Sequence, residues 1–187
     1  MQTLKPIDPS TATAKTKQLL AAFEQLRGRS SNMLRVVAQS PPILEAYLQF
    51  NRAFEHTRMS TRLRGLITVA MAQLLGCEYM LSVAAAVGTR EGLSSEEFEA
   101  ARNAESHDPK IAQALRFAKR MVENHGHVEA SEVAALHEAG YGDEEIVELI
   151  GAIALNLFRN YFNLAVQTEI DFPLIRVTEP LPKAAAR

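Results

Sequence analysis

Apolar residues recur at helical spacing along nearly the whole chain. The first such stripe places Leu19, Leu20, Phe23 and Leu26 on one face of a helix that ends at Gly28. Alternation of apolar and polar residues, the pattern typical of a strand, is almost absent, and Ala, Leu, Glu and Arg dominate the sequence. The pattern therefore predicts an all-α protein.

Capping residues and helix breakers divide this pattern into nine helices. Ser60 precedes the third long helix, Ser94 and Glu97 form a capping box, and Asp108-Pro109 opens a later helix. The predicted helices cover about residues 13–27, 32–39, 42–56, 60–75, 77–90, a short segment after 94, 109–124, 131–138 and 143–164. From Leu66 onward the helix at 60–75 is apolar nearly all round, which predicts a central, buried position.

Length and composition fit one globular domain. The chain has 187 residues, of which 47% are apolar and 22% charged. We expect an N-terminal tail at 1–12, a domain at 13–177 and a C-terminal tail at 178–187. A net charge of −2 argues against nucleic acid as a partner.

Cysteine content and hydropathy indicate the compartment. A single cysteine, Cys77, excludes a disulfide within the chain. The longest apolar run is shorter than the roughly 20 residues of a membrane span, and the N-terminus lacks the apolar segment of a secretory signal. These features predict a cytoplasmic protein without membrane contact.

Several phrases, in this order and spacing, resemble the carboxymuconolactone decarboxylase / alkylhydroperoxidase D-like family. They are Asn32-Met33-Leu34-Arg35-Val36, Ser40-Pro41, Leu63-Arg64, Ala72-Gln73-Leu74-Leu75-Gly76-Cys77-Glu78-Tyr79, Gly92-Leu93-Ser94, Glu144-Glu145-Ile146-Val147-Glu148, Asn160-Tyr161-Phe162-Asn163 and Asp171-Phe172-Pro173. The resemblance covers roughly residues 30–175. It implies an all-helical, alkylhydroperoxidase D-like fold and assembly as a dimer, trimer or hexamer.

The peroxidase branch of that family implies a relay that this chain does not carry. Its members reduce hydroperoxides with two cysteines, a histidine and a glutamate from the preceding helix. Cys77 matches the first cysteine, whereas Met80, Ala84 and Gly65 stand where the second cysteine, the histidine and the glutamate would fall. The pair Glu78-Tyr79 is similar to one in the decarboxylase branch, but that branch also needs a histidine near residue 84.

Cys77 admits two interpretations. On a helix Cys77, Met80 and Ala84 share one face, which is a small apolar surface. The helix start would lower the pKa of the thiol, whereas apolar neighbours and Glu78 would raise it. A structural cysteine is the first interpretation. A one-cysteine redox cycle, with an outside thiol as reductant, is the second.

Other polar residues suggest weaker candidates. Asn156, Asn160 and Asn163 recur on one face of the last helix. If buried they need partners, which we expect on neighbouring helices or another subunit, and Asn160 could instead line a pocket. His125 and His127 lie in a predicted loop with no third ligand nearby, so we expect neither a metal nor a cofactor.

The sequence thus predicts a divergent family member without the two-cysteine peroxidase cycle, acting as a ligand-binding or assembly protein or with an unrecognised activity. The candidate pocket comprises Gly65, Met80, Ala84 and Asn160, beside Cys77. The alternative is a one-cysteine hydroperoxide reductase, an antioxidant of peroxiredoxin type, that uses Cys77. Expected partners are further copies of the chain and a small-molecule ligand or thiol reductant.

Overall fold

The computed structural model describes residues 2–8 and 10–178, and within them it contains nine α-helices and no strand. The predicted C-terminal tail, beyond Thr178, lies outside the described residues, as does the side chain of Leu26. The helices are α1 Ala14–Arg27, α2 Asn32–Val37, α3 Pro41–Ala53, α4 Thr61–Leu75, α5 Glu78–Arg90, α6 Ser95–Arg102, α7 Pro109–Glu123, α8 Ala130–Glu138 and α9 Asp143–Val166, and a short 3₁₀ turn, Phe54–His56, follows α3. The all-α prediction is confirmed.

Side-chain caps fix the helix starts where the sequence predicts them. The hydroxyl of Ser60 accepts a hydrogen bond from the amide of Leu63 at 3.1 Å and so begins α4. Ser94 and Glu97 form the reciprocal capping box of α6, with distances of 3.2 and 3.0 Å. These bonds satisfy amides that have no partner within the first turn of a helix.

Helix α4 forms the centre of the core. It packs against α5, α6, α7 and α9, and its residues Ile67, Val69 and Met71 are fully buried. A helix surrounded on most sides by other helices has to be apolar nearly all round, which the run from Leu66 provides. The predicted central position of this helix is therefore the observed one.

Residues 167–178 follow α9 without helical structure and lie along the domain. Phe172, Ile175 and Val177 pack against the buried core, and Ser82 accepts a hydrogen bond from the amide of Ile175 at 3.0 Å. At the other end of the chain, the amide of Ile7 donates to the carbonyl of Arg35 at 2.9 Å. Both terminal segments therefore contribute contacts to the helical domain.

The expectation from the sequence that no stretch could span a membrane does not hold for helix α9. By length and composition alone its 24 residues could do so. Its inward face, which includes Leu149 and Ile153, packs against α4, α5 and α7. That packing is typical of a core helix, for which the same length and hydropathy are common.

Candidate functional site

The candidate site begins at the corner between α4 and α5. Gly76 ends α4 with a left-handed backbone (φ 72°), which glycine adopts without steric cost. The amide of Cys77 then donates to the carbonyl of Ala72 at 2.9 Å, closing the capping motif of α4. This turn makes Cys77 the residue that immediately precedes α5.

The thiol of Cys77 is enclosed. The residue is free and only 1% exposed. Burial raises the pKa of the Cys77 thiol to about 11, because an apolar environment disfavours the thiolate. The amides of Met80 and Tyr79 act in the opposite direction, but the side chain makes no capping hydrogen bond. The sequence suggests that the helix start lowers the pKa of this thiol and that apolar neighbours raise it, and in the structure burial has the larger effect.

A cavity of about 710 Å³ lies beside α5, between α3, α4, α9 and the segment that follows α1. This volume falls in the range of about 300–1,000 Å³ that small-molecule sites occupy. Its walls are mainly apolar and aromatic. They include Phe23, Met33, Tyr47, Phe54, Tyr79, Met80, Val83, Ala84, Val87, Leu155 and Phe172.

Three of the four predicted pocket residues line this cavity and one does not. Gly65, Met80 and Ala84 are in its wall. Asn160 is fully buried elsewhere on α9 and does not contact the cavity, and Cys77 is not part of the lining either. The catalytic role of Cys77 stays a prediction.

The position that would carry the family's glutamate is occupied by close packing. A Cβ atom added at Gly65 would lie 3.3 Å from Cδ1 of Leu93, and one added at Gly88 only 2.9 Å from the same atom. These two glycines therefore let Leu93 pack between α4 and α5. A side chain at residue 65 would require the end of Leu93 to move by a few tenths of an ångström.

A hydrogen-bonded cluster that the sequence did not predict fixes the first turn of α5. The hydroxyl of Tyr79 donates to a carboxylate oxygen of Asp171 at 2.9 Å and accepts from the amide of Met33 at 3.0 Å. The other oxygen of Asp171 lies 3.1 Å from Nη2 of Arg29. Burial raises the pKa of Tyr79, so the phenol stays protonated and serves as a donor.

The three asparagines on one face of α9 have hydrogen-bond partners other than the expected ones. Asn156, Asn160 and Asn163 are each at most 3% exposed, and each amide nitrogen donates to the carbonyl four residues earlier in α9 itself. The expectation of partners on neighbouring helices was therefore wrong for these nitrogens. Their three Oδ1 atoms are buried without a hydrogen-bond partner among the described residues, and of the three only Asn156 lines the cavity.

The histidines do not contribute to the cavity. His125 and His127 are exposed in the turn between α7 and α8, and His56 and His137 are also exposed. Across residues 2–8 and 10–178, no group of three His, Cys, Asp or Glu side chains could hold a metal ion.

Fold and cavity together define an all-helical, cavity-bearing protein of the alkylhydroperoxidase D-like class. Residues 41–120, which run from α3 into α7, match the model of the carboxymuconolactone decarboxylase family. The family model thus covers the part of the chain from α3 into α7, and the resemblance inferred from the motifs is confirmed. None of the curated proteins matches the sequence.

Solved structures with the same fold cover nearly the whole chain. The debrominase Bmp8 is 22% identical, with a TM-score of 0.76 over 90% of this chain and 91% of that protein. A debrominase variant with one cysteine changed to alanine was crystallised with 2,3,4-tribromopyrrole. A peroxidase-related protein from Silicibacter sp. is 17% identical, with a TM-score of 0.77 over 88% and 91% of the two chains. An alkylhydroperoxidase AhpD core protein from Ralstonia eutropha is 14% identical, with a TM-score of 0.73 over 91% and 92%.

Proposed function

We propose that this protein binds a small organic ligand in the cavity beside α5 and does not run a two-cysteine peroxidase cycle. The observation that carries the proposal is the contrast between the two halves of the site. The cavity is large and has a mainly apolar wall, whereas the Cys77 sulfur is buried, has a raised pKa and has Met80 in place of a second cysteine.

The chemistry of a peroxidase explains why these changes matter. A thiolate attacks the peroxide and becomes a sulfenic acid, which a second thiol resolves as a disulfide. A thioether cannot form that disulfide, and neither Ala84 nor Gly65 can transfer a proton. The small side chain of Ala84 instead leaves room for a ligand in the cavity.

The fold is compatible with such a ligand. The debrominase Bmp8, which shares the fold at 22% identity, has been crystallised as a variant with a brominated pyrrole. A small aromatic molecule is well below 710 Å³ in volume, so the cavity beside α5 could hold one. The alternative function, a one-cysteine hydroperoxide reductase, requires the Cys77 thiolate to reach peroxide, and a thiol with 1% exposure and a raised pKa speaks against it.

A cavity-filling variant tests the proposed binding. Ala84→Phe places a ring in the cavity from α5, and Val87→Phe does so one turn later. We expect both to weaken binding of the neutral probe 2-naphthamide at least about tenfold by isothermal titration calorimetry, because the probe loses apolar contact area. Ala134→Phe, on the exposed face of α8, is the matched control and should bind like the wild type. Equal affinities in all four proteins would contradict the proposal.

We also propose that the protein assembles with further copies of itself, in the cytoplasm. Support comes from an exposed apolar stripe on α9, formed by Val147, Ile150, Phe158, Tyr161 and Leu164. The ring of Phe158 lies 5.6 Å from that of Tyr47 on α3, and Ile43 and Phe50 on α3 are exposed as well. A contiguous apolar surface of this kind is typical of a protein interface.

The assembly is tested by measuring mass in solution. Tyr161→Glu combined with Leu164→Glu puts two charges on the stripe, and we expect it to reduce the mass from a multiple of 20.6 kDa to 20.6 kDa by light scattering after gel filtration. Leu4→Glu, at an exposed apolar residue outside the stripe, should leave the mass unchanged. A wild-type mass of 20.6 kDa would refute the assembly.

A further inference from the structure

Two arginines reach the cavity from different helices and meet the same end of α3. The guanidinium of Arg159 on α9 donates to the hydroxyl of Tyr47 at 3.2 Å and to Oδ1 of Asn51. That of Arg64 on α4 donates to the carbonyl of Phe54 and, at 3.0 Å, to Oγ1 of Thr61. Asn51 and Phe54 are about one helical turn apart, so both guanidinium groups bond to the segment at the C-terminal end of α3, and both arginines line the cavity.

Both cations are half-buried, and neither has an anionic partner within the described part of the chain. Their hydrogen bonds go only to carbonyl, amide and hydroxyl oxygens. Arginines elsewhere in the domain do pair with carboxylates, as in Arg29–Asp171 and Arg120–Glu132. Removing a guanidinium from bulk water without a counter-charge is unfavourable, which leaves this part of the cavity wall ready to accept a negative group.

The carboxylates at the cavity do not compensate these charges. Glu55 and Glu91 are both in its lining, but their side chains are exposed and neither forms an ion pair with Arg64 or Arg159. They lie at the solvent-facing part of the lining, where water screens them. The charge presented by the half-buried part of the cavity wall is therefore positive.

The remaining surface of the cavity is suited to the body of an amphipathic molecule. The lining also includes the aromatic rings of Tyr47 and Phe54, and Val83 and Leu155 continue the apolar wall. Asn156 also lines the cavity, and its buried Oδ1 has no donor among the described residues. One part of the cavity wall is thus cationic and another is apolar.

We propose that the ligand is a small organic anion, an aromatic or aliphatic carboxylate, whose charged group pairs with Arg159 and Arg64 while its apolar body lies against the aromatic wall. This inference rests on the proposed binding function and specifies its ligand class. A planar carboxylate suits a guanidinium group, since two parallel N–H donors can face its two oxygens. Arg159 is a binding residue in this arrangement, and Tyr47 and Asn51 hold it in position.

A matched pair of probes separates the charge from the shape of the ligand. Sodium 2-naphthoate and 2-naphthamide have nearly the same size, and only the first is anionic. We expect the wild type to bind the naphthoate at least about tenfold more tightly by isothermal titration calorimetry at low ionic strength, the effect of one charge-assisted contact. Arg159→Gln and Arg64→Gln should each reduce this preference, measured as the ratio of the two affinities within one variant. Arg159→Lys, which keeps the charge, should restore part of it.

Arg116→Gln is the control, since Arg116 is exposed on α7, bonds only to Gln113 and lies outside the cavity lining. Equal affinity for the two probes in the wild type would overturn the anion inference and leave ligand binding intact. A preference that persists in both glutamine variants would overturn it too. Failure of both probes to bind the wild type would refute the proposed binding function itself, and the naphthamide affinity of each variant reports whether its cavity has kept its shape.

Discussion

Alkylation of Cys77 should be slow and should have a strongly alkaline pH profile. The thiolate, rather than the thiol, reacts with iodoacetamide. Burial raises the pKa of Cys77 from 9.0 to about 11, so at neutral pH the folded protein contains about 100-fold less thiolate than an unfolded chain. Enclosure of the sulfur at 1% exposure slows the reaction further.

The measurement follows the rate of iodoacetamide labelling by intact-mass spectrometry between pH 6 and pH 11, in buffer and in guanidinium chloride. We expect the native rate at pH 7 to be at least about 100-fold below the unfolded rate and to rise until about pH 11. A native rate that levels off below about pH 8.5 would refute the reasoning, because it would show an accessible thiol with a lowered pKa.

The raised pKa of Cys77 also makes the unfolding free energy depend on pH. The folded state holds the thiol proton more tightly than the unfolded chain, so this contribution is complete below about pH 9 and is lost as the pH rises toward 11. Two pKa units correspond to about 2–3 kcal/mol of unfolding free energy. Subtracting the profile of Cys77→Ser removes the effect of other groups that titrate in this range, and a difference that does not vary with pH would contradict the shift.

Further predictions concern the core and the cluster at α5. Leu81→Ala, at a fully buried residue, should lower the unfolding free energy in urea by about 2–5 kcal/mol. The exposed control Leu174→Ala should change the unfolding free energy by less than about 0.5 kcal/mol. Equal losses in the two variants would show that the core is placed wrongly. Tyr79→Phe leaves the amide of Met33 and the carboxylate of Asp171 without their phenol partner, so we expect a loss of about 1–3 kcal/mol. Tyr161→Phe, at an exposed tyrosine with no hydrogen bond from its hydroxyl in the described structure, is the control and should be neutral.

Much of the fold could be predicted because its signals are local. Ser60, Ser94 and Asp108 cap helices where the sequence places them, and Gly76 ends α4 as predicted. Each of these signals involves residues within one helical turn, so one sequence is enough to read it. Where the sequence predicts a helix boundary, the observed one lies within a few residues of it, and only the end of α6 was not predicted.

Within the site, only the residues at positions of the family motif could be predicted from the sequence. Gly65, Met80 and Ala84 were found because the resemblance assigns a function to their positions. The bond between Tyr79 and Asp171 joins residues 92 positions apart, and the one between Arg159 and Asn51 joins residues 108 apart. No local pattern marks such pairs, since tertiary packing alone brings them together. Membership of Asn160 in the pocket was also predicted from helical spacing, which does not specify which neighbour an inward-facing residue meets.

The central claim, a family scaffold without its catalytic relay, is tested most directly by hydroperoxide turnover. Consumption of cumene hydroperoxide would be followed with dithiothreitol or a lipoyl reductant, comparing the wild type with Cys77→Ser. We predict that both proteins consume peroxide at the rate of the reductant alone. A robust rate in the wild type that Cys77→Ser abolishes would contradict the account and establish Cys77 as a peroxidatic residue.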